Sequence, residues 1–319
     1  RADIDALPIV ETDNRPHRST HEGVMHACGH DGHAAILVGA GQVLTELADR
    51  LPGSARLIFQ PAEEGGGGAN ELCRLGVMAD PTPVAVFALH GNPESKVGKI
   101  VSAPGAFSAS TDVFEIAVEG SSAHGAYPHL GRDAVCAAAA VVLALQQIVA
   151  RRVKPYDAAV VTVGKIEGGT ADNIVAPKVT LLGTIRARDA KVRKQLNALV
   201  KSVARDTAKA WGCTARAEIT RGYPIVENDP ACVELVRETA EALGGPKTFA
   251  PTEDRTMGGE DFSYFLQHAP GCMFRLGLRD RDHAAGLHTT EFDFNDKAIP
   301  LGVATMAGVV CRRLGVELG

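Results

Sequence analysis

Apolar and polar positions in the first hundred residues predict short buried strands that alternate with a helix. Residues 55–60 and 83–89 are apolar runs bounded by Pro or Gly, which is typical of buried strands in an α/β sheet. Between residues 33 and 50 apolar positions recur at helical spacing, and the turn residues 51–53 end that helix. Alternating strands and helices favour a parallel sheet with crossover helices.

The pattern changes at residues 102–110, where small and turn-forming residues predict a linker. After it, strands are predicted at residues 111–119, 158–166, 179–188 and 214–220, and helices at residues 133–150 and 190–211. The order strand, helix, strand, strand, helix, strand is the ferredoxin-like pattern, in which a small antiparallel sheet has two helices on one face. We therefore expect an inserted α+β domain.

The C-terminal part of the chain returns to the earlier pattern. Helices are predicted at residues 230–243 and 299–314, and a strand at residues 272–276. The expected fold class is α/β, with a discontinuous domain on a mixed sheet that is interrupted by the ferredoxin-like domain. The expected boundaries are residues 1–108 and 223–319 for the discontinuous domain, and residues 109–222 for the insertion.

The composition is that of a globular protein, and small-molecule chemistry is favoured by default. Apolar residues make up 45% of the 319 positions, charged residues 22%, and the net charge is −5. Lys and Arg are scattered, so no basic patch is expected to bind nucleic acid or an anionic membrane. No apolar run reaches the roughly 18 residues of a bilayer span and no signal sequence is visible, which favours a cytoplasmic location. The seven cysteines are widely spaced, so a disulfide framework is not expected.

Histidine is concentrated near the start of the chain, where five of the eleven fall between residues 17 and 33. Cys28 and His30 lie on either side of Gly29, so both side chains can reach one metal ion. A structural zinc site in this loop alone is poorly supported, because no second Cys or His pair follows at zinc-finger spacing. The alternative is a polar loop with incidental histidines.

Three further loops carry side chains that bind metal ions in proteins. Glu63 and Glu64 follow a predicted strand, and because adjacent side chains diverge, one can bind a metal while the other acts as a base for water. His90 ends another predicted strand, and His288 lies in a loop rich in acids. Taken singly, a solvated turn explains the glutamates and a structural role explains His90. Together, Cys, His and carboxylate ligands suit zinc or manganese better than calcium or magnesium.

These residues belong to a set of motifs that resembles a known family. The motif His26-Ala-Cys-Gly-His-Asp-Gly-His33 is the most specific, and it occurs in the expected order with motifs at residues 1–9, 60–64, 123–129, 258–262 and 287–296. The whole chain thereby resembles the M20 metallopeptidase family. It is most similar to the amidohydrolase branch, which includes aminoacylase-like enzymes, hippurate hydrolases and auxin-conjugate hydrolases.

The resemblance implies a metallohydrolase site with two divalent metal ions. By motif, Cys28 bridges the ions, and the other ligands are Glu64 and His288 for one ion and His30 and His90 for the other. Zinc or manganese is the expected metal, and cobalt and nickel also suit this mixture of ligands. Glu63 is implied to be the general base. Asp3 is implied to orient the ligands, and the alternative for Asp3 and Asp5 is that they only solvate a turn.

The resemblance gives the inserted domain the roles of a lid and a dimerisation surface. His124 is implied to donate a hydrogen bond to the oxyanion, either from the partner subunit or after closure of the lid. Asn173 and Arg186 are weaker candidates for holding the oxyanion or the substrate carboxylate, and a plain surface charge is the alternative for Arg186. We expect a homodimer through this domain, or a homotetramer.

The expected activity is hydrolysis of the amide bond of small N-acyl amino acids. A dipeptidase or carboxypeptidase of the same family is one alternative, because the same metal chemistry permits it. A non-catalytic binding protein is a second, and a structural zinc protein with one closed, four-ligand ion is a third. Members of the family carry some tens of residues, including a helix and a strand, before the motif that begins here at Arg1, so the sheet is expected to lack one element.

Overall fold

The structure, a computed structural model, describes residues 1–12, 15–252 and 255–316. These residues form two compact units. The first unit consists of Arg1–Phe107, Val226–Arg255 and Asp261–Gly319, and the second consists of Ser108–Ile225 and Thr256–Glu260. The first unit is therefore discontinuous in sequence, whereas one continuous stretch supplies nearly all of the second.

Helices and strands are distributed over both units. In chain order the helices are α1 (His30–Glu46), α2 (Gly68–Arg74), α3 (Ala134–Gln147), α4 (Ala190–Ala210), α5 (Pro230–Gly244) and α6 (Ile299–Arg313). The strands are β1 (Ala2–Asp3), β2 (Phe59–Gln60), β3 (Val86–Lys96), β4 (Ile100–Ser102), β5 (Gly105–Ala106), β6 (Ser110–Glu119), β7 (Ala159–Gly168), β8 (Lys178–Ala187), β9 (Thr214–Arg221), β10 (Glu227–Asn228), β11 (Phe249–Pro251) and β12 (Gly271–Arg279).

The main sheet of the first unit has four strands in the order β11, β4, β12, β3. β12 is parallel to β3 and β11 is parallel to β4, whereas β12 and β4 are antiparallel. The sheet is therefore mixed, and the parallel sheet that the first hundred residues favour is wrong. Only Val97, Gly98 and Lys99 connect β3 to β4, which is too short for the crossover that parallel strands require.

Helices α1, α5 and α6 share one apolar core with this sheet. The buried apolar residues of α1 include Ile36, Leu37, Ala40 and Leu44, which recur at helical spacing and therefore lie on one face. Phe274 on β12 is fully buried in the same core. Each large side chain removed from water in this way stabilises the fold by about 1.5–3 kcal/mol relative to leaving it exposed.

Residues 55–60 do not form the predicted buried strand. Only Phe59–Gln60 are in a strand, and this strand pairs with Ala2–Asp3. Residues 55–57 are exposed, and they line an apolar cavity of about 560 Å³ together with parts of α1 and α6. The run is apolar enough for a buried strand, but a strand also needs a partner of similar length, and β1 offers only two residues.

The strand predicted at residues 83–89 begins later and extends further. Because β3 runs from Val86 to Lys96, His90 lies inside the strand rather than after its end. Pairing with β12 continues through His90 opposite Arg275 and Asn92 opposite Gly277. β3 continues into polar residues because β12 is present to pair with them.

The second unit contains a four-stranded antiparallel sheet in the order β7, β8, β6, β9. α3 follows β6 and α4 follows β8, and both helices share one apolar core with the sheet. This is the ferredoxin-like order of elements. Gly183 on β8 is required there, because a Cβ would lie 2.1 Å from the ring of Phe114 and 2.2 Å from the carbonyl oxygen of Thr162.

The segment around α3 bears on the expectation that no apolar run is long enough to span a bilayer. With the π-helical turn Ile148–Arg152, α3 forms a 19-residue segment that is long and apolar enough, by length and composition, to cross a membrane. The prediction that no such run exists is therefore wrong. One face of this segment is used inside the unit, where Ala137, Val141 and Leu145 are fully buried against the sheet. Packing in this core accounts for the apolar residues on that face.

Candidate metal centre

Five side chains that the sequence analysis assigns to metal binding lie close together in the first unit. Ligand atoms of Cys28, His30 and His90 lie within 4.8 Å of one another, and so do those of Cys28, Glu64 and His288. Cys28 is common to both groups, and its Sγ lies 3.4 Å from Nε2 of His90. Four distant segments of the chain thus supply two groups of three ligands that share one thiol.

Gly29 allows its two neighbours, Cys28 and His30, to face the same point. It precedes α1 with a left-handed φ of 82°, which L side chains rarely adopt. A Cβ at Gly29 would also lie 2.8 Å from a ring carbon of Phe294, and one at Gly32 would lie 2.5 Å from the same ring. Both glycines are therefore needed for Phe294 to pack directly on the backbone at the start of α1.

Among the described residues, two that are not glycine have left-handed backbone conformations, and both lie at this site. Ala62, which precedes Glu63, has a φ of 58°, and His288 has a φ of 61°. The backbone N–H of His288 donates to the carbonyl oxygen of Ala27 at 2.7 Å. Nε2 of His288 lies 3.2 Å from Oε1 of Glu64. Strain of about 1–3 kcal/mol per residue persists at functional sites, where surrounding contacts impose it.

The donor set fits divalent cations. Nε2 of His30 is buried without a hydrogen-bond partner among the described residues, 4.0 Å from Oε1 of Glu64. Burial, together with the carboxylates of Glu64, Asp3 and Glu63, raises the pKa of the Cys28 thiol far above its usual value. A thiolate at this position therefore requires a compensating positive charge. Cations held between these groups would satisfy both the imidazole nitrogen and the thiolate.

Asp5 orients His30, a role that the sequence analysis did not assign. Nδ1 of His30 donates to the carbonyl oxygen of Asp5 at 3.0 Å, and the Asp5 carboxylate accepts from the backbone N–H of Glu64 at 3.0 Å. Because Nδ1 carries the proton, Nε2 of His30 presents a lone pair to the cluster. The available signal was the spacing of Asp3 and Asp5, since residues two apart lie on one side of an extended segment.

Asp3 is fully buried, so the alternative that it only solvates a turn is wrong. Its carboxylate accepts from Nη1 of Arg1 at 2.8 Å and from Nδ1 of His33 at 2.5 Å. Burial opposes ionisation, but Arg1 and His33 outweigh it and hold the pKa of Asp3 well below its usual range. Burial lowers the pKa of His33 to about 4, although Asp3 opposes this shift. His33 is therefore neutral at neutral pH.

A buried polar network extends from Asp3 through residues to which no role was assigned. Nε of Arg1 donates to Oε1 of Gln60 at 2.7 Å, and Nη2 of Arg1 donates to Asp261 at 3.0 Å. The Gln60 amide donates to Asp261 at 2.8 Å, and Asp261 also accepts from the backbone N–H of Ala69 at 3.0 Å. Gln60 and Asp261 lie in the quoted motifs, but a motif does not show which distant partners its residues have.

The other predicted site residues, His124, Asn173 and Arg186, lie in the second unit. His124 is exposed, and its Nδ1 accepts a hydrogen bond from the backbone N–H of Ala126 at 3.0 Å. The carbonyl oxygen of Asn173 accepts from the backbone N–H of Gly125 at 2.7 Å, so the loops of His124 and Asn173 are joined. Arg186 lies half-buried on β8, and burial lowers the pKa of its guanidinium.

Comparison with known proteins identifies the family. The profile of peptidase family M20/M25/M40 matches residues 1–312. The chain belongs to this family. The match spans all the ligand residues named above, and the family expected from the motifs is confirmed.

The relatives that this chain is similar to include two kinds of deacetylase. The N-acetyl-L-cysteine deacetylase of Bacillus subtilis is 40% identical over 299 residues, which cover 94% of this chain and 70% of that protein. The N-acetyldiaminopimelate deacetylase of Geobacillus sp. is 39% identical over 311 residues, which cover 97% of this chain and 81% of that protein. The expectation of an M20 hydrolase similar to amidohydrolases is confirmed.

A solved structure shows the same fold. The crystal structure of the Bacillus subtilis YXEP protein, described as a dinuclear metal-binding peptidase from the M20 family, matches with a TM-score of 0.86 at 30% identity. The match covers 99% of this chain and 81% of that chain. The expected α/β fold with a mixed sheet is therefore confirmed, and it matches the fold of M20 peptidase structures.

Proposed function

We propose that this M20 chain is a metal-dependent amidohydrolase that cleaves the amide bond of N-acyl amino acids. The observation that carries the proposal is the pair of ligand groups that share Cys28. Two groups joined by one thiol suit a dinuclear centre better than a single closed ion. The similarity to two N-acetyl amino acid deacetylases supports the substrate class. The similarity to a dinuclear metal-binding peptidase supports two ions.

In the proposed centre Cys28, Glu64 and His288 would hold one divalent ion. Cys28, His30 and His90 would hold the other. Zinc or manganese is the proposed metal, and cobalt and nickel are compatible with the same ligands. When bound, such ions supply Lewis acidity toward a carbonyl oxygen and toward water.

Glu63 is the proposed general base. It is buried, and its carboxylate lies within 4.8 Å of the ligand atoms of His30 and Glu64. A carboxylate oxygen of Glu63 takes a proton from the attacking water and then passes it to the nitrogen of the leaving amine. Because Glu63 is only 8% exposed, the proton is retained in the site instead of being lost to bulk water.

His124 is the proposed donor to the oxyanion. Its Nδ1 accepts from Ala126, so the neutral ring carries its proton on Nε2, which can donate. Asn173 and Arg186 are proposed to hold the substrate carboxylate or the oxyanion. The planar, charged guanidinium of Arg186 is suited to a carboxylate, because it can donate two parallel hydrogen bonds.

The second unit is proposed to act as a lid and to form the subunit contact of a homodimer, or of a homotetramer. Leu143 on α3 is 74% exposed, and Leu130 and Val135 are also exposed. These exposed apolar side chains are the candidates for the subunit contact. Light scattering is expected to give the mass of a dimer or tetramer for the wild type and a smaller mass for Leu143→Glu. An unchanged mass would argue against this contact.

The cytoplasm is the proposed location. All seven cysteines are free thiols, and five of them are buried. Free thiols are typical of a reducing compartment.

A substrate panel tests the proposed activity. Protein loaded with zinc or manganese is assayed against N-acetyl amino acids, hippurate and free dipeptides, and its metal content is measured in parallel. We expect release of free amino acids from the N-acyl substrates and two ions per chain. Cleavage of dipeptides alone would assign a dipeptidase instead. Binding without turnover would assign a binding protein, and a single closed ion would assign a structural zinc site.

A further inference from the structure

We propose that His33 is a positioning residue that aims His90 at the metal centre through the backbone of Gly91. The inference rests on the proposed metal centre, in which His90 is a ligand. His33 is fully buried and lies one turn along α1 from His30. Its ring centroid is 4.7 Å from that of His90, with the two rings in an edge-to-face arrangement.

Hydrogen bonding fixes which nitrogen of His33 carries the proton. The backbone N–H of Gly91 donates to Nε2 of His33 at 2.7 Å, and an N–H group can only donate. Nε2 is therefore the acceptor, and the proton is on Nδ1, which donates to the Asp3 carboxylate at 2.5 Å. Asp3 is in turn held by Arg1. The ring thus has one orientation and one tautomer.

Gly91 transmits this orientation to His90. The carbonyl oxygen of Gly91 accepts from Nδ1 of His90 at 2.7 Å, which leaves the lone pair of Nε2 facing Sγ of Cys28 at 3.4 Å. Gly91 packs directly against its neighbours, since a Cβ there would lie 2.8 Å from Leu278 and 3.1 Å from Phe294. Its N–H belongs to the peptide that joins it to His90, and its carbonyl belongs to the next peptide. Loss of the hydrogen bond to His33 therefore removes one of the contacts that set the position of Gly91, and with it the position of the carbonyl that directs the His90 ring.

His33 itself is a poor ligand, although its position suggests one. Asp3, His30 and His33 are close enough together to hold an ion. Both nitrogens of His33 are already engaged, one with Asp3 and one with Gly91. Two of the histidines in the motif thus have different tasks: His30 presents a free nitrogen to the cluster, and His33 holds the strand that carries the next ligand.

Two substitutions test this role. His33→Phe keeps a buried ring but accepts no hydrogen bond, whereas the side-chain carbonyl of His33→Gln can still accept from Gly91. Binding of two ions is measured by titration against a chelator of known affinity. We expect His33→Phe to lower the affinity for the ion held by His30 and His90 by about 10–100-fold and to leave the affinity for the other ion unchanged. In His33→Gln we expect part of the lost affinity to be recovered. Ile36→Val, a buried change on the same helix, is the control for a small loss of packing.

A second measurement reports on His90 without metal. In nitrogen-15 spectra of the metal-free protein, we expect His90 to carry its proton on Nδ1 in the wild type and to lose this single tautomer in His33→Phe. Wild-type affinity for both ions in His33→Phe would overturn the proposal, and so would equal losses in the Phe and Gln variants. If the wild type binds fewer than two ions, the proposed metal centre is wrong. The role of His33 is then tested by the spectra alone, and an unchanged His90 tautomer in His33→Phe would overturn it.

Discussion

Cys28 is the residue whose chemistry depends most on what binds beside it. Its thiol is buried and surrounded by carboxylates, which raise its pKa, yet it belongs to both ligand groups. Without cations these surroundings favour a neutral thiol, and with cations they favour a thiolate. Metal binding is therefore expected to release a proton from this residue and to weaken as the pH falls.

Replacing Cys28 by Ala is expected to reduce bound metal below two ions per chain, because the change removes a ligand common to both groups. Cys232→Ala is a matched control, since each cysteine is 6% exposed in the first unit. Elemental analysis after dialysis measures the outcome. Equal metal content in the two variants would contradict the bridging role of Cys28.

Glu63→Gln separates proton transfer from metal binding. An amide cannot take a proton from water, so we expect turnover to fall by about 10²–10⁴-fold while both ions are retained. Glu71→Gln, at an exposed carboxylate on α2, is the control. Near-normal kcat in Glu63→Gln, or loss of metal in the same variant, would remove Glu63 from the proposed role.

At the scale of elements, the loop between β12 and α6 carries His288 and is fixed by charged side chains. Asp293 on this loop forms an ion pair with Arg15, whose Nη1 lies 2.9 Å from the carboxylate, and it accepts a hydrogen bond from Nε2 of His17 at 2.9 Å. Nε2 of His283 lies 3.2 Å from the same carboxylate. The loop that presents one ligand is thus tied to the chain segment that precedes the Cys28 turn.

His17 makes this connection depend on pH. Its hydrogen bond to Asp293 raises its pKa above the usual value, although burial opposes the shift. A raised pKa in the folded state means that the contact stabilises the fold below about pH 6.5 and that this contribution is lost as the pH rises through the raised pKa. The side chain is 64% exposed, so the contribution is under about 1 kcal/mol.

We therefore expect His17→Asn to lower the free energy of unfolding at about pH 5.5 and to leave it nearly unchanged at about pH 8. Urea denaturation at the two pH values measures the difference. His21→Asn, at another exposed histidine, is the control. The explanation is falsified if His17→Asn destabilises the fold equally at both values.

Helices were predictable from local sequence, and pairing was not. α4 was expected at residues 190–211 and spans Ala190–Ala210, because the spacing of apolar residues along a helix is a local property. Residues 55–57 resemble a buried strand and are exposed, because a strand needs a partner. The partner of the adjoining Phe59–Gln60 lies more than fifty positions away and is only two residues long. The ligand candidates were likewise visible as residue types. The hydrogen bonds that Asp5 makes to His30 and Glu64 were not, nor were those that His33 makes to Asp3 and Gly91.

At the scale of the whole molecule, metal is expected to contribute to stability. The first unit gathers a thiol, carboxylates and imidazoles from four segments, and ions that bind only the folded chain stabilise it by mass action. Removal by a chelator should lower the unfolding temperature in calorimetry. Zinc or manganese should restore it, whereas calcium should not, because Cys and His are poor calcium ligands. An unfolding temperature that is the same with and without the chelator would contradict a contribution of the ions to stability.

The ring of Phe294 packs against three glycines from different parts of the first unit. Gly29, Gly32 and Gly91 each leave room for Phe294, and a Cβ at any of them would come within about 3 Å of that ring. Gly32 and Gly91 are expected to covary with position 294 in evolution, because a larger residue at either glycine requires a smaller one at position 294, whereas the left-handed φ of Gly29 keeps glycine there in any case. A mutagenesis library that varies positions 32, 91 and 294 together should therefore recover more folded sequences than one that varies any of them alone.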